Sequence, residues 1–289
     1  MANSIALVTK FLAILDEVYK KNSLTSAFDA PTKPVEFGGA AAVNVLKLST
    51  VGLGTYSRST GYPAGDVTAA WETLTLAASR GRALSIDRMD DEETLGMAFG
   101  KLADEFMRVN VAPEVDAYRF SKFASWSGIS SPSEAALADA AAVVAALRAG
   151  TTQMDEDEVP EEGRVLYITP TLKGYVDDQD TTKSKEVLAR FSQIIQVPQT
   201  RFYKGITLNA GSSASAGGFA KTGSTGRDIN FMIVHPTAVL QAVKHDNMKY
   251  FSPDQNQTAD AHLLQYRLYH DAFVYDNHVD GVYAHIKNS

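Results

Sequence analysis

Apolar positions along this chain repeat with two different periods, and the places where the period changes mark out its elements. Ile5, Phe11, Leu12, Leu15, Val18 and Tyr19 form a short helical stripe. It must end before Ala30-Pro31-Thr32-Lys33-Pro34, because proline removes the backbone donor that a helix needs. An arm is the expectation there. Val43–Val51 then reads as an apolar strand, Gly52–Gly65 as a turn-rich connection, Val67–Ala77 as a second strand and Arg82–Asp87 as a third piece. Together these predict a long hairpin. A two-stranded ribbon alone in water is at best marginally stable, so a long one predicts cover from outside itself.

From Asp90 the period becomes helical, with Leu95, Phe99, Leu102, Phe106 and Val109 on one stripe. Asp90, Asp91, Glu92 and Glu93 stand at its start, where carboxylates favour the positive end of the helix dipole, and they read as structural rather than catalytic. Pro113 either kinks this helix or opens a second one, and the rod reaches about Trp126. Ser131-Pro132-Ser133-Glu134 spells a capping box ahead of an Ala-rich helix to Arg148, stopped by Gly150. The run Asp155, Glu156, Asp157, Glu158, Glu161 and Glu162 reads as a solvated loop; it lacks the alternating ligands and closing Glu of a calcium loop. Arg164–Thr169 predicts a buried strand, Thr182–Ile195 a helix, Asp228–Val234 a strand and Thr237–Lys244 a helix after His235-Pro236. A mixed α/β segment follows from that order. Leu264–Ile286 predicts two final strands with a turn near Asp276-Asn277.

Composition removes whole classes of function. With 45% hydrophobic and 21% charged residues the 289-residue chain is neither disordered nor fibrous, and no apolar run approaches the roughly 20 residues of a membrane span. The absence of cysteine excludes disulfides, thiol catalysis and Cys-based zinc sites. Residues 1–17 do not read as a signal peptide, since Ile5–Leu15 is amphipathic and contains Lys10, so synthesis in the cytosol is expected. A formal charge of −7 argues against a module that grips nucleic acid by neutralising phosphates, but not against one that encloses it.

Candidate chemistry is thin. Gly52-Leu53-Gly54-Thr55-Tyr56-Ser57 resembles a dinucleotide fingerprint, yet Ser57 replaces the third glycine and no helix follows, which favours a hairpin turn. Gly218–Thr225 approaches a phosphate loop but has Ser224 where lysine is needed, and it precedes a strand, so Asn209–Arg227 reads as a loop. The histidines at 235, 245, 262, 270, 278 and 285 have no metal-ligand spacing. His270-Asp271 and Asp276 could join a triad only with a distant serine, and no G-x-S-x-G elbow supplies one. No catalytic, cofactor-binding or metal-binding residue is assigned, and no cofactor is expected.

The order of elements and the wording of several segments resemble the major capsid proteins of tailed bacteriophages over nearly the whole chain. The segments are Leu15–Lys20, Gly52–Tyr62, Trp71–Thr73, Arg80–Thr94, Val111–Ala124, Asp228–Asp246 and Tyr266–His285. The resemblance implies an α+β capsid fold: an N-terminal arm (1–42), an extended hairpin loop over a neighbouring subunit (43–89), a spine helix with the first part of a peripheral domain (90–132), an α/β axial domain (133–250) and C-terminal strands completing the peripheral domain (251–289). It implies a non-enzymatic protein that self-assembles through pentamers and hexamers into an icosahedral head. Such a head encloses double-stranded DNA without sequence-specific binding or a membrane, and is built in the host bacterial cytoplasm. Implied partners are further copies of the chain, a portal, a decoration protein and a separate scaffold protein; no long helical segment of the built-in scaffold kind precedes the arm, so either a separate scaffold exists or the sequence begins after processing, and Met1 favours the former. Two alternatives stay open: an encapsulin-like compartment on the same fold, and a soluble α/β enzyme with an unrecognised site.

Some capsids of this kind weld subunits through isopeptide bonds, which need a lysine amine on the extended loop, an asparagine on a neighbour and a buried glutamate. Between Lys47 and Lys101 the only basic residues are Arg58, Arg80, Arg82 and Arg88, and a guanidinium protonated to a pKa above about 12 has no lone pair with which to attack an amide. Non-covalent cohesion follows. Particles of this chain boiled in detergent should give one band near 31.2 kDa; a surviving ladder of dimers to hexamers would contradict this and point to Lys47, Lys101 or a lysine outside the hairpin.

Overall fold

A computed structural model describes residues 23–29, 36–38, 42–89, 103, 105–132, 134–179, 181–212 and 217–288. The expected arm helix before Leu24, the acidic start Asp90–Glu93 and the stripe residues Leu95, Phe99 and Leu102 lie outside them. The chain forms two compact units, residues 33–77 and residues 1–32 with 78–289.

The smaller unit is an antiparallel sheet of β1 (Glu36–Gly38), β2 (Ala42–Thr50) and β3 (Val67–Thr75) in that order. Its register sets Leu46 opposite Trp71 and Lys47 opposite Ala70, so alternation separates two faces. One face carries an ion pair between Lys47 and Glu72 at 2.9 Å. The other carries Leu46, Leu48 and Trp71, with Thr73 donating to Asn44 Oδ1 at 3.1 Å.

The expected third piece of the hairpin belongs to the larger unit. There β4 (Ala78–Asp87) is followed by a π-helical turn, Met107–Val111, and helix α1 (Ala112–Ser125). Leu84 and Ile86 of β4 pack into a core against α1 and the preceding turn, which a two-stranded ribbon could not offer them. Pro113 sits in the first turn of α1, where its missing N–H costs nothing. Its ring would otherwise crowd the carbonyl four residues earlier, and the wide π turn relieves that crowding without ending the rod. Val109, expected on the apolar stripe, is 49% exposed as a result of this change of winding.

Helix α2 (Ala140–Glu156) departs from expectation at both ends. Its cap is Asp139, which accepts from Ala142 N–H at 2.7 Å, not the predicted box at Ser131–Glu134. The Ser131 hydroxyl is diverted to the Ala284 carbonyl at 3.0 Å and the Ala135 N–H to that of Ile286, so tertiary pairing displaces the local cap. Gly150 does not stop the helix. A Cβ there would lie 2.9 Å from the Tyr283 ring, so the glycine permits close packing of helix on sheet.

Beyond it run β5 (Val165–Ile168), α3 (Pro170–Gln179), α4 (Thr182–Ala189), β6 (Gln193–Gln196), β7 (Tyr203–Lys204), β8 (Ile206–Leu208), β9 (Phe219–Lys221), β10 (Arg227–Val234), β11 (Val239–Phe251), β12 (Ala261–Val274) and β13 (Val282–Ile286). The predicted helix Thr182–Ile195 is α4 followed by β6, because Ile194 and Ile195 complete a parallel ladder with β5. The predicted helix Thr237–Lys244 is instead strand. Only Pro236–Ala238 form one 3-10 turn, and Val239, Leu240 and Ala242 are buried in the long ladder between β11 and β12. Helix α3 was not anticipated.

One sheet has the order β13-β10-β5-β6 and a second β11-β12-β4. The last two strands therefore part into different sheets, so the expected grouping of 251–289 spans both. On β10, Met232 and Val234 face the core that holds Phe120 and Phe123 of α1, while Phe231 and Ile233 face the core beneath α2, α3 and α4. Strands covered on both sides read as unbroken apolar runs, which is why β5 and β10 were visible in the sequence. Phe120→Ala, at a fully buried position, should lower the unfolding free energy by about 3–5 kcal/mol. Val109→Ala should change it by less than about 0.5 kcal/mol; urea titration of both variants checks the ranking.

Candidate functional site

Side chains that could do chemistry are held in structural contacts. His235 is buried between the Thr237 hydroxyl at 2.7 Å and the Glu162 carbonyl at 3.0 Å. His262 meets the Tyr250 hydroxyl, and His285 the Asn230 amide. His278 lies edge-on to Tyr275, and His245 is exposed. Among the described residues no group of three His, Asp or Glu is placed to hold a metal.

No triad forms. His270 lies edge-on to Tyr118, its Nδ1 without a hydrogen bond, while Asp271 accepts from the Tyr118 hydroxyl at 3.0 Å and from Ala272 N–H. Asp271 is thus engaged by Tyr118 and Ala272 and does not orient the imidazole. Asp276 stands apart in the turn Asp276–Gly281. Gly52–Ser57 falls in the irregular connection between β2 and β3, closed by a Ser57–Gly61 bridge, and is a turn as expected. Gly218–Thr225 forms β9 and a tight turn before β10, with no helix N-terminus to receive a phosphate. The acidic run is less solvated than predicted, because Asp155 bridges Arg164 and Arg190 and Glu161 also meets Arg190. Partial burial pulls the Asp155 carboxyl upward, but the two guanidiniums outweigh it and hold it below the usual carboxylate range.

Two features remain, one in each unit. On the ribbon, Leu46, Leu48, Val67 and Trp71 share a face, and Trp71 is 65% exposed. In the connection, the rings of Tyr56 and Tyr62 lie 5.0 Å apart at a tilt of 59°, and Leu53 is fully exposed. A contiguous apolar face of this kind marks an interaction surface.

In the larger unit, Asp116 on α1 clasps residues 23–25. Its carboxylate accepts from the Ser23 hydroxyl at 3.0 Å, the Thr25 hydroxyl at 2.9 Å and the N–H groups of Leu24 and Thr25. Arg119, one turn on, donates to the Thr25 hydroxyl at 2.7 Å and pairs with Asp29 at 2.9 Å. Burial still pushes the Asp116 carboxyl up despite these donors. Motif reading missed this site. Its one signal was an Asp and an Arg set among Val115, Ala117, Tyr118, Phe120 and Phe123, since a buried charge must find partners.

No family model and no curated protein matches the chain. Solved structures do. The capsid of Cyanophage P-SCSP1u aligns over 88% of this chain and 85% of its own, with TM-score 0.56 at 13% identity. The capsid of Myoviridae Phage XM1 aligns over 92% of both, with TM-score 0.58 at 10% identity. The chain has the phage capsid fold. A virus-like particle from Pyrococcus furiosus shares this capsid fold over 96% of the present chain and 98% of its own, with TM-score 0.60 at 9% identity.

Burial, with Arg119 and Arg80 nearby, depresses the His270 pKa to about 3 from 6.5. The unfolded chain then binds the proton first, so stability is full above about pH 6.5 and falls as pH drops toward 3. Between pH 7.5 and pH 5 this residue should cost about 2 kcal/mol. His285, also depressed by burial, adds in the same direction. Urea midpoints across this range should slope less in His270→Gln than in the parent; equal slopes would contradict the assignment.

Proposed function

We propose that this chain is the major capsid protein of a tailed bacteriophage, a structural protein that assembles through pentamers and hexamers into an icosahedral head around double-stranded DNA. The observation that carries the reading is the capsid fold matched along nearly the full length of two phage capsid chains. The ribbon supplies the physical reason for assembly. Its apolar face is too exposed for an isolated subunit and fits cover by the next copy, with 43–77 as the extended loop.

In this reading α1 belongs to the spine, the sheet of β10 and its helices to the axial domain, and the sheet of β11, β12 and β4 to the peripheral domain. A portal, a scaffold protein and a decoration protein are the partners such a head takes, with assembly in the bacterial cytoplasm. No helix among the described residues is long and apolar enough to cross a membrane. The match to the Pyrococcus furiosus virus-like particle favours a second reading, an encapsulin-like compartment of the same fold. Particles filled with phage DNA from an infected host support the head, and DNA-free particles holding protein cargo support the compartment.

Deleting Gly52–Asp66 should abolish shells in sedimentation while leaving the larger unit folded. Trp71→Ala should raise the concentration needed for assembly about thirtyfold, the effect of losing a central contact of about 2 kcal/mol. Normal shells from either variant would show that the ribbon is not an assembly contact.

A further inference from the structure

On the sheet of β11, β12 and β4, Leu84, Leu264, Tyr266 and Leu268 pack toward α1 and its preceding turn. Alternation turns Lys249, Gln265 and Ala83 to the opposite face in one row, and Asn247, Arg267 and Gly81 in the next. The small residues Gly81 and Ala83 leave that face hollow, and a groove of about 470 Å³ lies there. No carboxylate lines it. Arg80 and Arg82 at its rim are occupied, the first by Glu114 and the second by the Gly211 carbonyl. The side chains of His245, Lys249 and Arg267 make no hydrogen bond or ion pair with any described residue. Unneutralised cations gathered in one groove are unexpected on a chain of net charge −7.

The same chain carries the complement. At the end of α2 and beyond it, the side chains of Glu156, Glu158 and Glu162 are exposed and have no partner among the described residues, while Asp155 and Glu161 are taken by Arg164 and Arg190. Glu158 holds φ +57° as it closes α2, with its N–H bonded to the Asp155 carbonyl and that of Val159 to the Met154 carbonyl. Glycine is at ease at such a helix end and other residues are not. A carboxylate is kept there against the backbone's preference.

We propose that the 156–162 loop of one copy docks in the Lys249–Arg267 groove of the next. Neither set finds a side-chain partner among the described residues, and a second copy presents the complement to each. It joins unlike patches, the heterologous geometry that closes into rings. The inference shares with the proposed function the premise that copies of this chain associate, and the test separates the two.

The natural chain has no cysteine, so Glu158→Cys and Lys249→Cys can be placed together in the full-length protein and oxidised. A disulfide ladder extending past the dimer is expected, absent from each single variant. In parallel, Lys249→Glu with Arg267→Glu, and separately Glu158→Lys with Glu162→Lys, should each reduce the assembled fraction at least tenfold with unchanged thermal unfolding. Combining all four should restore assembly to within about twofold. Particles that form without the ladder, or a fourfold variant as defective as its parents, would overturn the contact while leaving the shell intact. A ladder without closed particles would uphold the contact and sink the shell reading. Loss of co-purifying nucleic acid on groove reversal, with no ladder, would overturn the contact by giving the groove to a polyanion.

Discussion

Helix α1 is buried on nearly every side, and the larger unit is arranged around that fact. Val115 packs with Leu264, Tyr266 and Leu268 of the long sheet, while Phe120 and Phe123 pack with Tyr167, Met232 and Val274. One helix thus builds two cores and ties together two sheets that share no strand. A helix enclosed in this way must find a partner for every polar group it carries. Its two buried charges are satisfied because Asp116 and Arg119 draw in residues 23–29, and a buried carboxylate with several donors costs far less than a bare one.

The larger unit satisfies its own apolar surface with sheets, helices and the clasped N-terminal segment. The ribbon of 33–77 has one face it cannot cover itself, for a sheet with a single long pair of strands has no second layer. In a lone subunit such a surface is a liability for aggregation. In the proposed shell the same surface would be covered by a second copy, and its burial would drive assembly.

Much of this was legible where local pattern and tertiary role agree. The ribbon strands, β5, β10 and the closing pair β12 and β13 read correctly, because alternation or an unbroken β-branched run means the same thing locally and globally. The misreadings have specific causes. Ser131 had the letters of a cap but spends its hydroxyl on Ala284. Val239–Val243 fits either period, and its pairing with distant β12 decides for strand. The Asp116 clasp and the basic groove join residues far apart in the chain, and no spacing rule reaches across such separations.

The central claim is that copies of this chain enclose a volume. Electron microscopy of the purified full-length protein, with sedimentation of the same sample, tests it most directly. The account predicts hollow closed particles or capsomer rings of five and six, sedimenting far faster than the subunit. A single compact species of 31.2 kDa that stays monomeric at high concentration would contradict it.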